Sequence, residues 1–312
     1  MSDIKLFRIS DGQVVEELAG ASAPLERSLQ RLIEGNLTAF LGVRFLASEY
    51  STGHRHGGRM DTIGLDENGC PVIIEYKRTM NENVINQGLF YLDWLLDHRA
   101  QFQLLVMKKL GSEVAECIEW SSPRLLCIAG DFTKYDVHAV QQINRNIELI
   151  RYRLYGDEFI LFELVNATSA APSLQTTTSA PRADTSTTQT KSNQSKDRTF
   201  QKALEKADQE LTDLYNSVCD FLLSLGDDVQ QKMLQSYGAF TRIKNFACIY
   251  TQSRKLLVFV KVDPDTITLE EGFTRDVRNI GHYGTGDLEI TIASLDDLEK
   301  AKPLLLASYE TS

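Results

Sequence analysis

Asp61, Glu75 and Lys77 are the residues of this chain whose types and spacing could act together on a phosphate. Asp61 lies in the strand-like run MDTIGLD (60–66), and Glu75 and Lys77 lie in PVIIEYK (71–77). Alternation places Ile73, Glu75 and Lys77 on one face of the second run, and Asp61, Ile63 and Leu65 on one face of the first. Two carboxylates within reach of one hard cation, Mg²⁺ or Mn²⁺, would leave it open positions for water and a substrate phosphate. The carbonyl of Tyr76 could add a ligand. Such an ion activates water and offsets charge growing on the phosphate. The Lys77 ammonium would steady that water or the transition state. Without a cation or lysine between them, two carboxylates in an apolar setting repel.

This chemistry requires a hairpin. Asp66-Glu67-Asn68-Gly69 joins the two runs, and Asn-Gly is a strong turn signal, often accompanied by a bulge. Folding there brings Asp61 near Glu75 and Lys77. Whether they share a face depends on register, because a slip of one residue sends one set to the opposite side. Val72, Ile73 and Ile74 mark the second run as a central strand buried on both faces. The competing reading of Glu75 and Lys77 is a solvated strand end with an ordinary ion pair.

The elements around the hairpin follow from periodicity. IKLFRI and QVVEEL flank Asp11-Gly12 as a first hairpin. Leu25, Leu29, Leu32, Ile33, Leu37, Phe40 and Leu41 recur at helical spacing over 24–42, with Pro24 suited to a helix start. VRFLASEY (43–50) reads as a strand and 81–99 as a helix. FQLLVM (102–107) reads as a strand, followed by a short helix near Glu113 and the strand RLLCIAGDF (124–132). A helix over about 137–144 and two closing strands, IELIRYRL and EFILFELV, complete the unit. This order predicts a mixed α/β sheet with helices packed on it.

Asp61 followed by Glu75-Tyr76-Lys77 after an apolar strand resembles the signature of the PD-(D/E)XK nucleases. The longer string, Gly58-Arg59-Met60-Asp61 through Val72-Ile73-Ile74-Glu75-Tyr76-Lys77-Arg78, looks closest to the NucS-type endonuclease catalytic domain. The resemblance spans about 24–165. It implies a restriction-endonuclease-like fold, with Asp61, Glu75, Lys77 and Gln87 catalytic and Glu26, Asp61 and Glu75 holding Mg²⁺ or Mn²⁺. Glu26 falls where that family carries a helix glutamate facing the site. Gln87 and Tyr91, four apart on one helix face, match its Gln-and-Tyr pattern; ordinary helix packing is the alternative. Arg59, Arg78 and Tyr91 are implied as DNA contacts. Arg59 ends a polar stretch, His54 to Gly58, that could clamp phosphates. The chain departs from the family in one respect: only about 20 residues precede the first helix, where the family often carries a separate β domain.

The whole chain sets bounds. Its 312 residues, 42% hydrophobic and 24% charged, suit two globular domains. The stretch 166–199, rich in Ser and Thr with two prolines, reads as a flexible linker between domains at 1–165 and 200–312. A net charge of −10 argues against an indiscriminate grip on nucleic acid but allows a local basic groove. No run is long enough for a membrane span and the start lacks an apolar leader, so a cytoplasmic protein is expected. Five scattered cysteines without a CxxC pair read as mostly buried free thiols.

The second domain reads as a smaller α+β unit. It opens with a long helix over 200–225, carrying Leu204, Leu211, Leu214, Val218 and Leu225. Strands FACIY, KLLVFVKV and LEITIA and a final helix follow. Within 274–287, Arg275, His282 and Asp287 stand among glycines, either as an anion-binding nest or as a glycine-shaped turn. The segment 246–287 resembles an uncharacterised domain of bacterial proteins labelled "predicted transport protein", although transport is not expected without a membrane segment. The expected function is a metal-dependent DNA endonuclease in repair or in defence against foreign DNA. A non-catalytic nucleic-acid-binding module and a regulatory interaction protein are the alternatives. A homodimer, and a protein partner for the second domain, stay open.

Overall fold

The computed structural model describes residues 4–10, 14–53, 57–77, 83–168 and 200–312. Strands β1 (Leu6–Ser10) and β2 (Val14–Leu18) form a separate antiparallel hairpin. The N-terminal unit then runs β3 (Gly20–Ala21), α1 (Glu26–Gly35), α2 (Leu37–Leu41), β4 (Val43–Ser51), β5 (Arg59–Asp66) and β6 (Pro71–Lys77). It continues through α3 (Asn83–Asp97), α4 (Arg99–Leu110), α5 (Ser112–Glu116), β7 (Arg124–Ala129), α6 (Lys134–Gln141), β8 (Asn146–Tyr155) and β9 (Phe159–Thr168). Its seven-stranded sheet is ordered β3-β8-β7-β6-β5-β4, and β9 also pairs with β8. The sheet is mixed: β6, β7 and β8 are parallel neighbours and the remaining pairings are antiparallel.

Alternation along the central strands builds two cores. Val72, Ile74 and Tyr76 pack with Leu29, Ile33 and Leu41 of α1 and α2. Ile73, Leu125 and Cys127 pack on the other side with Leu92, Leu95 and Phe102 of α3 and α4. Both faces of β6 are covered, as its apolar run requires.

Three expected elements differ. FQLLVM is not a strand but the middle of α4. A strand would put Leu104 on the face of Phe102 and Val106, yet Leu104 is exposed while those two, four apart, are buried. Helical burial and good helix formers through Lys109 decide the matter. The helix expected over 24–42 breaks at Gly35-Asn36, where the Asn36 side chain turns back to the Leu32 carbonyl. The helix expected over 200–225 is two: α7 (Phe200–Glu205) and α8 (Gln209–Ser224), the latter started by Asp208, whose carboxylate caps the Leu211 amide.

The C-terminal unit continues with β10 (Gln230–Met233), β11 (Gly238–Thr241), β12 (Asn245–Thr251), β13 (Leu256–Val260), β14 (Thr274–Asp276), β15 (Leu288–Ile292) and α9 (Leu295–Glu310). All its pairings are antiparallel, in the order β10-β11-β12-β13-β15-β14. Helices α8 and α9 bury Val218, Leu222, Leu298 and Leu305 against it. The short strands β10, β11 and β14 lack long apolar runs and were not expected. Strand β9 reaches Thr168, into the start of the Ser/Thr-rich stretch, whose remainder lies outside the described residues. Among the described residues no helix is long and apolar enough to cross a membrane. Cysteines 70, 127, 219 and 248 are buried free thiols, whereas Cys117, at the end of α5, is exposed.

Candidate functional site

Strands β5 and β6 pair regularly from Leu65–Pro71 to Thr62–Ile74. One step further, where Asp61 faces Glu75, side-chain bonds take over from the backbone ladder. The Asp61 amide donates to Glu75 Oε1 at 3.2 Å, and the Tyr76 amide donates to Asp61 Oδ2 at 3.0 Å. The register therefore puts both carboxylates on the face of Ile63 and Ile73, beneath α3. Each acid is pinned to the opposite strand by a charge-assisted bond.

The electrostatics of the pair are unbalanced. Glu75 is fully buried, and its Oε2 accepts no hydrogen bond among the described residues. Burial, then the neighbouring Asp61 charge, pushes the Glu75 carboxyl up to about 9. Burial also raises Asp61, against the pull of the Tyr76 amide and of Lys77. Lys77, at the end of β6, directs its ammonium to Glu26 Oε1 at 3.2 Å. The sequence reading made Glu26 a metal ligand; here it is drawn to the lysine. Among the described residues no three His, Cys, Asp or Glu side chains gather as a ligand set. Two adjacent carboxylates, one with a bare buried oxygen, nonetheless match a hard cation that takes only one or two protein carboxylates.

Helix α1 contributes more than Glu26. Gln30, four residues on, donates its amide to the Asp61 carbonyl at 2.9 Å and to Ser48 Oγ and Glu34 Oε1, both at 3.1 Å. Glu34, four further, accepts from Thr62 Oγ1 at 2.5 Å. The row Glu26, Gln30, Glu34 straps α1 to both sides of Asp61. Its spacing of four was visible in the sequence, but polar helix positions read as solvent-facing. Glu49 is a second residue the sequence reading missed. It lies between the Ser48–Thr62 and Tyr50–Met60 pairs, beside Asp61, and its charge adds to the rise at Asp61. It is the one non-glycine with positive φ (51°) among the described residues, a conformation found disproportionately at functional sites.

Gln87 donates to the Tyr91 hydroxyl at 3.0 Å, and the Arg59 amide donates to the same oxygen at 3.1 Å. Gln87 and Tyr91 thus hold the start of β5, two residues from Asp61, while the exposed Arg59 guanidinium pairs with Glu49 at 2.9 Å. Arg78, His54 and His56 lie outside the described residues. In the C-terminal unit, Arg275 pairs with Glu289 at 2.7 Å, and the His282 ring stacks on Phe259 at 4.5 Å. The Asp287 amide bonds the Val260 carbonyl, and its own carbonyl accepts from Val277. Each of the three residues is engaged in the packing of its own segment. Gly286 explains the glycine there: its φ is 139°, and a Cβ would meet the Val260 backbone at 2.6 Å.

Fold and site define a two-unit protein: a mixed α/β sheet flanked by helices, whose central hairpin carries a buried and a half-buried carboxyl beside a lysine, and an antiparallel α+β unit. A family model described as a domain of unknown function (DUF5655) matches residues 200–312. An uncharacterized protein of Haemophilus influenzae is 28% identical over 306 residues, covering 97% of this chain and 98% of its own length. Among solved structures, a repair endonuclease from Pyrococcus abyssi is similar at TM-score 0.29 and 19% identity, over 43% of this chain and 49% of its own. A complex named EndoMS-dsDNA2 is similar at TM-score 0.24 and 19% identity, over 44% and 47%. The chain spans about half the length of these solved structures.

Proposed function

We propose that the N-terminal unit is a divalent-metal-dependent nuclease that hydrolyses DNA phosphodiesters. One observation carries the reading: Asp61 and Glu75 lie side by side, each fixed by a backbone amide of the opposite strand, with Glu75 Oε2 buried and unsatisfied. Glu75, buried against the half-buried Asp61, is costly to ionise beside it, and a bound cation would offset that cost. Mg²⁺ or Mn²⁺ held by Asp61 and Glu75 would supply charge neutralisation and a more nucleophilic water. Asp61 is oriented through its carbonyl by Gln30 and through its carboxylate by Tyr76. Lys77, steadied by Glu26, would set its ammonium against the charge that grows on the phosphate. Gln87 and Tyr91 hold Arg59 at the entrance, where its guanidinium could trade Glu49 for a phosphate. The pattern around Asp61, Glu75 and Lys77 that resembles the PD-(D/E)XK nucleases supports the same reading.

The test is cleavage of circular, linear, branched and single-stranded DNA with Mg²⁺ or Mn²⁺, comparing the parent with Asp61→Ala and Lys77→Ala. Cleavage lost in both variants is expected. Cleavage that persists in both, or DNA binding by the parent with no cleavage of any substrate, overturns the enzyme reading.

A further inference from the structure

The turn that sets the register of the β5–β6 hairpin is built into the C-terminal unit. Asp66 Oδ1 accepts the amides of Asn68 (2.9 Å) and Cys70 (2.8 Å), and the Asp66 amide closes the loop on the Cys70 carbonyl at 2.9 Å. Gly69, with φ 77°, supplies the left-handed position that a three-residue loop needs. The Glu119 amide of the N-terminal unit holds the Gly69 carbonyl at 2.9 Å, and further contacts come from the C-terminal unit. The Asn68 side-chain oxygen accepts from Asn245 (2.6 Å) and Tyr237 (2.9 Å). Glu67 accepts from Lys261 (2.6 Å) and the Asn245 amide (2.9 Å). Cys70 is buried among Leu234, Tyr237 and Phe259.

Beneath the turn lies a closed ionic network. Arg124 binds Asp66 Oδ2 at 2.9 Å and forks onto Glu148 at 2.8 and 2.7 Å. Lys232, from β10 of the C-terminal unit, completes it with a 3.0 Å bond to Glu148 Oε1. All four side chains are at most 5% exposed, and their charges cancel two against two. Arg124 and Lys232 together hold the Glu148 carboxyl down to about 2 despite its burial.

We propose that the C-terminal unit locks the hairpin in the register that joins Asp61 to Glu75, with Lys232 as a positioning residue for that pair. The proposal rests on reading the pair as a cation site. Its physical basis is the period of a strand: a slip of one residue at the turn would carry Asp61 to the face opposite Glu75. Removing Lys232 leaves the buried Glu148 charge shared with Asp66 on Arg124 alone, and Asp66 is the residue that caps the loop. The disturbance is passed on by two paired strands, over roughly 16 Å for the five residues from Asp66 to Asp61.

The experiment measures Mn²⁺ affinity of the full chain, by the spectrum of free Mn²⁺, for the parent, Asp61→Asn, Lys232→Met, Lys232→Arg and Leu298→Ala. Leu298 is buried in the α8/α9 core and belongs to neither the network nor the turn contacts, so it controls for loss of stability. Lys232→Met should weaken Mn²⁺ binding about 2- to 30-fold, the range for residues that modulate a site without touching its ligand, with most of the loss recovered in Lys232→Arg. Leu298→Ala, compared at equal loss of melting temperature, should keep the parent affinity. Parent-like affinity in Lys232→Met, or an equal loss in Leu298→Ala, overturns the proposal. If Lys232→Met does not fold, Lys261→Met decides in its place: a smaller loss supports the lock and an unchanged affinity sinks it. Mn²⁺ binding that survives Asp61→Asn removes the cation reading and this proposal together. Binding lost in Asp61→Asn but intact in the lysine variants removes the positioning role alone.

Discussion

At the turn end of the β5–β6 hairpin, Asp66 is buried with Glu148, and two cations, Arg124 and Lys232, lie within 3.0 Å. At the open end of the same two strands, the fully buried Glu75 lies against the half-buried Asp61 with no cation in a direct bond among the described residues, and Lys77 is turned to Glu26. The consequences run in opposite directions. Glu148 is held down to about 2, and Glu75 is pushed up to about 9. Of the two ends of this hairpin, the described residues neutralise buried carboxylates by direct ion pairs at the turn end. Compensated charge marks the end that holds structure, whereas the carboxyls of the other end are raised by burial and by each other.

The largest expected effect breaks the compensated end. Arg124→Met should cost about 3–5 kcal/mol, because it leaves two buried carboxylates with one lysine between them. Denaturant unfolding measures it, and a loss under about 1 kcal/mol, the range of exposed pairs, would erase the contrast between the two ends. At the open end, Lys77→Ala should lower the cleavage rate about 10²- to 10³-fold with little change in stability, as for removal of one group that stabilises developing charge. Single-turnover kinetics against a melting curve separates the two.

Glu75→Gln should stabilise the metal-free protein while abolishing cleavage. The sign follows from linkage: Glu75 keeps its proton in the folded chain up to about 9, while the unfolded chain loses it near 4.5. The folded state therefore binds more protons between those values, and stability falls as pH rises through them. At neutral pH the neutral amide should recover roughly 2–3 kcal/mol and flatten that slope. Glu148 runs the other way, its contribution present above 4.5 and lost as pH falls toward 2. Melting curves across pH without metal check both slopes; a Glu75→Gln protein less stable than the parent at pH 8 would contradict the unbalanced pair. The smallest effect belongs to an exposed pair: Arg59→Ala, which frees Glu49, should change stability by under about 1 kcal/mol and act on DNA affinity instead. A filter-binding titration over salt concentration reads that affinity.

Much of the open end was legible in the sequence. Alternation in PVIIEYK, the Asn-Gly turn and the apolar strands flanking it announce a central hairpin carrying Asp61, Glu75 and Lys77. The hairpin, most strands and the closing helix stand where periodicity puts them. FQLLVM was misread because six apolar-rich residues fit strand and helix alike, and only the exposure of Leu104 separates the two. Gln30 and Glu34 were passed over because their hydrogen-bond partners, Asp61 and Thr62, lie on another element. The ionic network at the turn end was not legible: Arg124 is 58 positions from Asp66, and Lys232 is 84 from Glu148.

The amino-acid sequence by itself determined that Asp61 and Glu75 stand on two adjacent strands joined by a tight turn, because side-chain alternation and turn chemistry act over a few residues. The tertiary structure alone decided the register that brings Asp61 against Glu75, the capture of Glu26 by Lys77, and the insertion of Lys232 beneath the turn. Those depend on which charges become buried together, and burial is set by how distant segments pack, to which no local period responds.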